Sequence, residues 1–166
     1  ATDGPAVIEA WKDVPKDPKK NTAVLETWFS SLIRTGMHEK AEKDIAADLK
    51  RSWRSPLVRL YGLVEGKDNT RQLKKAESWL TNHGEDADLL LTAARLCLRL
   101  ELWGKARSYL ETVIAIRPTP DAYQEYGRLL TQLGEGEAAA DAYREGLGLV
   151  AGSSLPAIPH LDSDEA

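Results

Sequence analysis

The sequence predicts an all-α fold, and three observations carry it. Apolar residues recur at helical spacing in eight segments separated by Gly, Pro or Asn. No stretch alternates apolar and polar residues long enough to make a strand. A small residue returns at Ala41, Ala76, Ala106 and Ala139, which are 35, 30 and 33 residues apart, so the helices come as repeated units.

Residues 1–21 read as the end of a preceding helical segment followed by a linker, because a short apolar stretch runs into the break "VPKDPKKN". This opening is expected to come from the middle of a longer protein. The first full helix is expected over Thr22–Thr35, with Leu25, Trp28 and Leu32 on one face, and its partner over His38–Lys50, carrying Ala41 and Ile45. A third runs over Pro56–Val64, where Ser55 offers a capping oxygen and Pro56 suits the first turn. For the fourth, Thr70–Asn82, Asn69 with Gln72 resembles a capping box.

The fifth helix, Ala87–Leu100, reads "ADLLLTAARLCLRL" and is apolar almost all round, which predicts a helix sandwiched between neighbours. The sixth, Trp103–Ile116, ends before Pro118, which cannot continue it. Thr119 and Pro120 open the seventh, Pro120–Leu133, and the eighth spans Glu137–Val150. Residues 151–166 mix Gly, Ser, Pro and acid without period and are expected to be a disordered tail.

Four residues after each recurring alanine stands a larger side chain: Ile45, Leu80, Leu110 and Tyr143. A small residue lets a neighbouring backbone approach, and the larger one fills the space a turn later. A period of roughly 34 residues built from helix pairs is the tetratricopeptide pattern. The expected architecture is therefore a right-handed solenoid of about four antiparallel helix pairs within residues 22–150. Its units are 22–54, 55–86, 87–119 and 120–150. Trp28, Trp79, Trp103 and Gly127 join the alanines, Leu110 and Tyr143 as packing positions. The second unit, with its short first helix and enlarged turn "EGKDN", is degenerate, and Trp53 has no evident place.

Composition narrows the function. The 166 residues carry 22 Lys plus Arg against 26 Asp plus Glu, a net charge of -4, which gives no reason to expect nucleic-acid binding. One cysteine, Cys97, excludes an internal disulfide, and at its repeat position it reads as a buried, inert thiol. Met37, His38, His83 and His160 lack chelating spacing, so no bound metal is expected. There is no phosphate loop, no GxSxG elbow and no triad, and the expectation is a protein without catalytic residues. No run reaches the roughly 18 apolar residues of a membrane span.

The functional expectation rests on arginines. In the repeat register, Arg34, Arg59, Arg95, Arg99 and Arg128 fall on first-helix positions that face the concave side of such arrays. Arg95 and Arg99 stand four apart, where like charges repel, and their planar forks suit carboxylates. An acidic partner peptide or a small dicarboxylate would fit. The plainer reading is that they pair with Asp88, Glu101, Glu125 or other nearby acids and solvate the groove.

Beyond the repeat pattern, "AESWLTNHGEDADLLL", "LLLTAARLCLRLELWGKARSYLE" and "AYQEYGRLLTQLGEGEAAADAYREGL", with "RLYG" before them, resemble the C-terminal half of the proteobacterial HemY family. The resemblance spans about residues 6–150. It implies a tetratricopeptide domain of an inner-membrane protein, anchored through an N-terminal region not in this sequence and placed on the cytoplasmic side if it serves enzymes there. It implies a non-catalytic scaffold acting with late haem-biosynthesis enzymes. It carries over no catalytic residues, so the arginine row is a reading of this sequence alone. The alternatives are a haem or porphyrin carrier gripping propionates with Arg95 and Arg99, and an unrelated tetratricopeptide adaptor.

Overall fold

The structure, a computed structural model, describes residues 3–152, and among them every regular element is helical. Helix α1 spans Gly4–Asp13, and a 3₁₀ turn follows at Pro18–Lys20. The next helices are α2 (Thr22–Arg34), α3 (His38–Arg51), α4 (Ser55–Tyr61) and α5 (Asn69–His83). Then come α6 (Ala87–Arg99), α7 (Trp103–Ile116), α8 (Pro120–Gln132) and α9 (Gly136–Ala151). The eight expected helices are all present with edges moved by at most a few residues. Ala151, expected in the tail, closes α9, and residues 153–166 lie outside the described residues.

The chain divides into two compact units, Ala1–Pro118 and Thr119–Ala166. In the first unit α4 packs against α2, α3 and α6, while α5 and α7 both pack on α6 and α1 packs on α2. Every residue of α6 from Ala87 to Cys97 is buried, which bears out its apolar circumference. In the second unit α8 packs against α9 around Leu130, Ala139 and Ala142, with Tyr123 and Tyr126 against them.

Three hairpins, α2–α3, α6–α7 and α8–α9, share one turn. At their heads Gly36, Glu101 and Gly134 take positive φ of 76°, 57° and 76°. The amide of the next residue closes back on the preceding helix each time: Met37 to Leu32 (2.8 Å), Leu102 to Cys97 (2.9 Å) and Glu135 to Leu130 (2.9 Å). The positive-φ residue itself donates to Ile33, Leu98 or Thr131 at 3.1, 3.2 and 3.1 Å, completing the Schellman pattern that satisfies carbonyls at a helix end. Five residues later stand Ala41, Ala106 and Ala139, all buried. The same local chemistry thus makes the same hairpin three times.

The α4–α5 pair lacks this turn. Helix α4 is only seven residues long, and beside the local amides of Gly62, Leu63 and Val64 its end takes side-chain donors from distant positions. Gln72 Nε2 donates to Tyr61 O (2.9 Å) and Val64 O (3.1 Å), and Thr92 Oγ1 donates to Val58 O (2.8 Å). At Gly62 a Cβ would stand 2.8 Å from Thr92 Oγ1 and 3.1 Å from its Cα, so glycine permits the close approach of α4 to α6.

Two capping expectations are corrected here. Asp68, not Asn69, caps α5 by accepting from the Arg71 amide, and buried Gln72 turns inward to the carbonyls of Tyr61 and Val64 at and just beyond the end of α4. Ser55 is already the first helical residue of α4, and its hydroxyl donates to Asp86 Oδ2 at 2.6 Å. Thr119 does cap α8, accepting from the Ala122 amide at 3.2 Å.

Candidate functional site

The arginines of the expected row lie in different surroundings. Arg34 is exposed on the last turn of α2. Arg59, exposed on α4, lies 3.7 Å from Glu26 of α2. Arg95 is buried at 9 % exposure within α6. Arg99 is half-buried and donates through Nη1 to Val64 O and through Nη2 to Gly62 O, both at 2.7 Å. Its fork is therefore occupied by the end of α4, which corrects the expectation of a fork turned to an outside carboxylate. Arg128, in the second unit, pairs with Glu125 at 3.2 Å. The nearby acid Asp88 is engaged by Arg117 at 2.7 Å.

The packing residues divide more evenly. Trp28, Ala41, Ala76, Ala106, Leu110, Gly127 and Ala139 are buried as expected. Trp79 and Trp103 are half-buried. Tyr143 remains 37 % exposed, yet its ring fills the space above Gly127, where a Cβ would come within 2.6 Å of it.

Trp53 gains a definite role. Its ring stacks on His83 (3.7 Å, 4°) and meets Trp79 edge-on at 5.7 Å, and its indole N–H donates to Asp86 Oδ2 at 2.9 Å. Asp86 Oδ1 caps α6 through the amides of Asp88 and Leu89. Burial pushes this carboxyl toward its neutral form, but donation from Ser55, Trp53 and the two amides outweighs burial and holds it below the usual aspartate range.

The thiol of Cys97 is pushed up to about 11 by burial and by Glu77, in keeping with an inert packing residue. Glu77 accepts from Lys105 (2.9 Å) and Tyr109 (3.1 Å), tying α5 to α7. Among the described residues no group of three or more His, Cys, Asp or Glu side chains could hold a metal. His38 accepts the Glu65 amide instead. No helix among them is long and apolar enough to cross a membrane.

A concavity lies elsewhere, between the end of α1, the 3₁₀ turn, α2 and α3. It encloses about 690 Å³ and is lined by Trp11, Leu25, Trp28 and Phe29 together with Lys16, Lys19, Lys20, Arg51 and Arg54. Trp11 stacks on Trp28 (4.6 Å, 7°), and the Lys19 ammonium sits 5.0 Å from the Trp11 ring centre. Arg54 pins the linker in place, donating to Lys20 O (2.8 Å) and Thr22 Oγ1 (2.9 Å). Read from the sequence, residues 1–21 are the end of a helical segment and a linker, which gives Trp11 and these lysines no role. The available signal was the lysine run "KDVPKDPKK" directly after Trp11.

These features define a class: an all-α chain of helix pairs with a polar-rimmed groove. A scan against protein-family models finds no match, and a search of the curated proteins finds none either.

Proposed function

We propose that this chain is a non-catalytic protein–protein interaction module built from tetratricopeptide-type repeats. One observation carries this reading: the α2–α3, α6–α7 and α8–α9 hairpins repeat the same positive-φ turn with a buried alanine five residues on. Repeats of this kind present side chains from successive helices as an extended surface for partners. The resemblance to the HemY family makes the partners late haem-biosynthesis enzymes at the bacterial inner membrane. The mechanism is then proximity, which raises the local concentration of a reactive intermediate at the next active site.

The arginines best suited to contact such a partner are Arg34 and Arg59, which are exposed on first-type helices. A porphyrin carrier gripping propionates with Arg95 and Arg99 fits less well, since Arg95 is buried and Arg99 is bonded to backbone carbonyls.

The test is crosslinking and affinity capture from membranes, comparing the parent with an Arg34→Glu, Arg59→Glu variant of equal helicity. Capture of haem-pathway enzymes by the parent, reduced in the variant, supports the scaffold and its surface. Capture of other proteins would instead identify an unrelated adaptor, and capture of none would sink the module reading.

A further inference from the structure

We propose that the groove between α1, the 3₁₀ turn, α2 and α3 docks an acidic peptide segment of a partner protein, one that carries an apolar side chain among its carboxylates. This rests on the reading of the chain as a partner-binding module, and it names a second surface and the chemistry that surface recognises.

Charge balance is the first ground. Five cationic side chains line the groove against two carboxylates, Asp44 and Asp48, in a chain whose net charge is -4. Both carboxylates are already neutralised: Asp44 pairs with Lys40 (2.8 Å), and buried Asp48 pairs with Arg51 (2.8 Å) and Arg54 (3.5 Å). Lys16 and Lys19 have no carboxylate within ion-pair distance among the described residues. Lys20 meets only the exposed Asp17, and such a pair is weak enough for a ligand to displace.

Pre-organisation is the second ground. The two hydrogen bonds from Arg54 hold the segment from Lys20 to Thr22, and the Trp11–Trp28 stack holds the end of α1, so the lysines stand on a fixed backbone. Less ordering free energy is then lost on binding. The half-buried ring of Trp11, backed by buried Trp28 and Phe29, supplies apolar contact beside the lysines.

A membrane of anionic lipid shares the charge but not the shape. The site is concave, and the large apolar residues exposed among those described all lie beyond residue 62, so none stands ready here to insert into a bilayer.

The test titrates a fluorescein-labelled short peptide of Asp and Glu around a single Phe into the full chain, reading anisotropy. The same titration is made on Lys16→Glu with Lys19→Glu, and on Arg34→Glu with Arg59→Glu. Saturable binding that weakens with salt, falls about tenfold or more in the lysine variant and is unchanged in the arginine variant supports the groove. No saturable binding, or equal affinity in parent and lysine variant, overturns it. So does sedimentation of the parent with phosphatidylserine vesicles, lost in the lysine variant, when the peptide fails to bind. The two readings fail separately: peptide binding indifferent to Lys16 and Lys19 removes only this groove, whereas an empty crosslinked capture removes the module.

Discussion

In the α6–α7 hairpin, the turn is closed by residues adjacent in sequence: Leu102 bonds to Cys97, Glu101 to Leu98, and Ala106 then lets the helices meet. In the α4–α5 pair local amides reach Val58, Leu60 and Tyr61, but the carbonyls there and just beyond also take donors brought from other helices: Gln72 from α5, Thr92 and Arg99 from α6. The first arrangement is local and repeats wherever its few residues recur. The second depends on side chains as many as 37 positions away, so it exists only once α6 has docked. The α4–α5 pair thus adds side-chain bonds to backbone where the other pairs use turn chemistry.

The largest effect is expected at Asp86, which joins the two regions by capping α6 while holding Ser55 at the start of α4 and Trp53 just before it. Asp86→Ala removes a cap and strands two side-chain donors, for a loss of about 3 kcal/mol in chemical denaturation. A loss below about 1 kcal/mol would show that the junction is held by packing alone. The same carboxyl has a folded-state pKa below its unfolded one. Its contribution is therefore present above the unfolded aspartate pKa of about 3.9 and is lost as pH falls through the lower folded value. In Asp86→Asn that part of the acid-limb slope should vanish.

Next comes Arg99→Leu, which leaves Gly62 O and Val64 O without their guanidinium donor and should cost about 2 kcal/mol. Arg99→Lys should recover only part, since one ammonium cannot reproduce the planar fork. Full stability in Arg99→Leu would free this residue for the ligand role first expected of it. Gln72→Leu should cost less, about 1 kcal/mol, because Val64 O keeps Arg99 and the buried Oε1 of Gln72 lacks a partner of its own. Hydrogen exchange in both variants should quicken first at α4.

The smallest expected effect lies in the regular hairpin and has the opposite sign. Glu101 holds the left-handed conformation that Gly36 and Gly134 adopt in the sister turns. Glu101→Gly should relieve its strain and stabilise by about 0.5 kcal/mol, net of the chain entropy glycine adds to the unfolded state. A destabilisation would mean that the Glu101 side chain contributes more than its backbone costs.

The same contrast governs how much was legible beforehand. Helix edges, the Thr119 cap, the stop at Pro118 and the recurring alanines were readable because each is set by neighbours in sequence. The burial of α6 followed from a helix that is apolar almost all round, apart from the stripe of Asp88, Thr92, Arg95 and Arg99. Arg95 and Arg99 were placed on the same helix correctly, but charge and spacing alone could not show that Arg99 would spend its fork on the end of α4. Trp53 stayed unexplained for the same reason, since its partners His83, Trp79 and Asp86 lie 26 to 33 positions away. The cationic groove was missed because Trp11 and the lysines join Trp28 and Arg51 only when α1 folds back on α2.

By itself, then, the sequence determined the helices, their pairing into hairpins and the small residues where helices touch, because backbone propensity, capping and periodicity act over a few residues. The tertiary structure decided which polar groups are occupied and which remain available, because hydrogen bonds and ion pairs depend on distances of a few ångströms between elements far apart in the chain. That division moves the functional emphasis from Arg99 to Lys16 and Lys19.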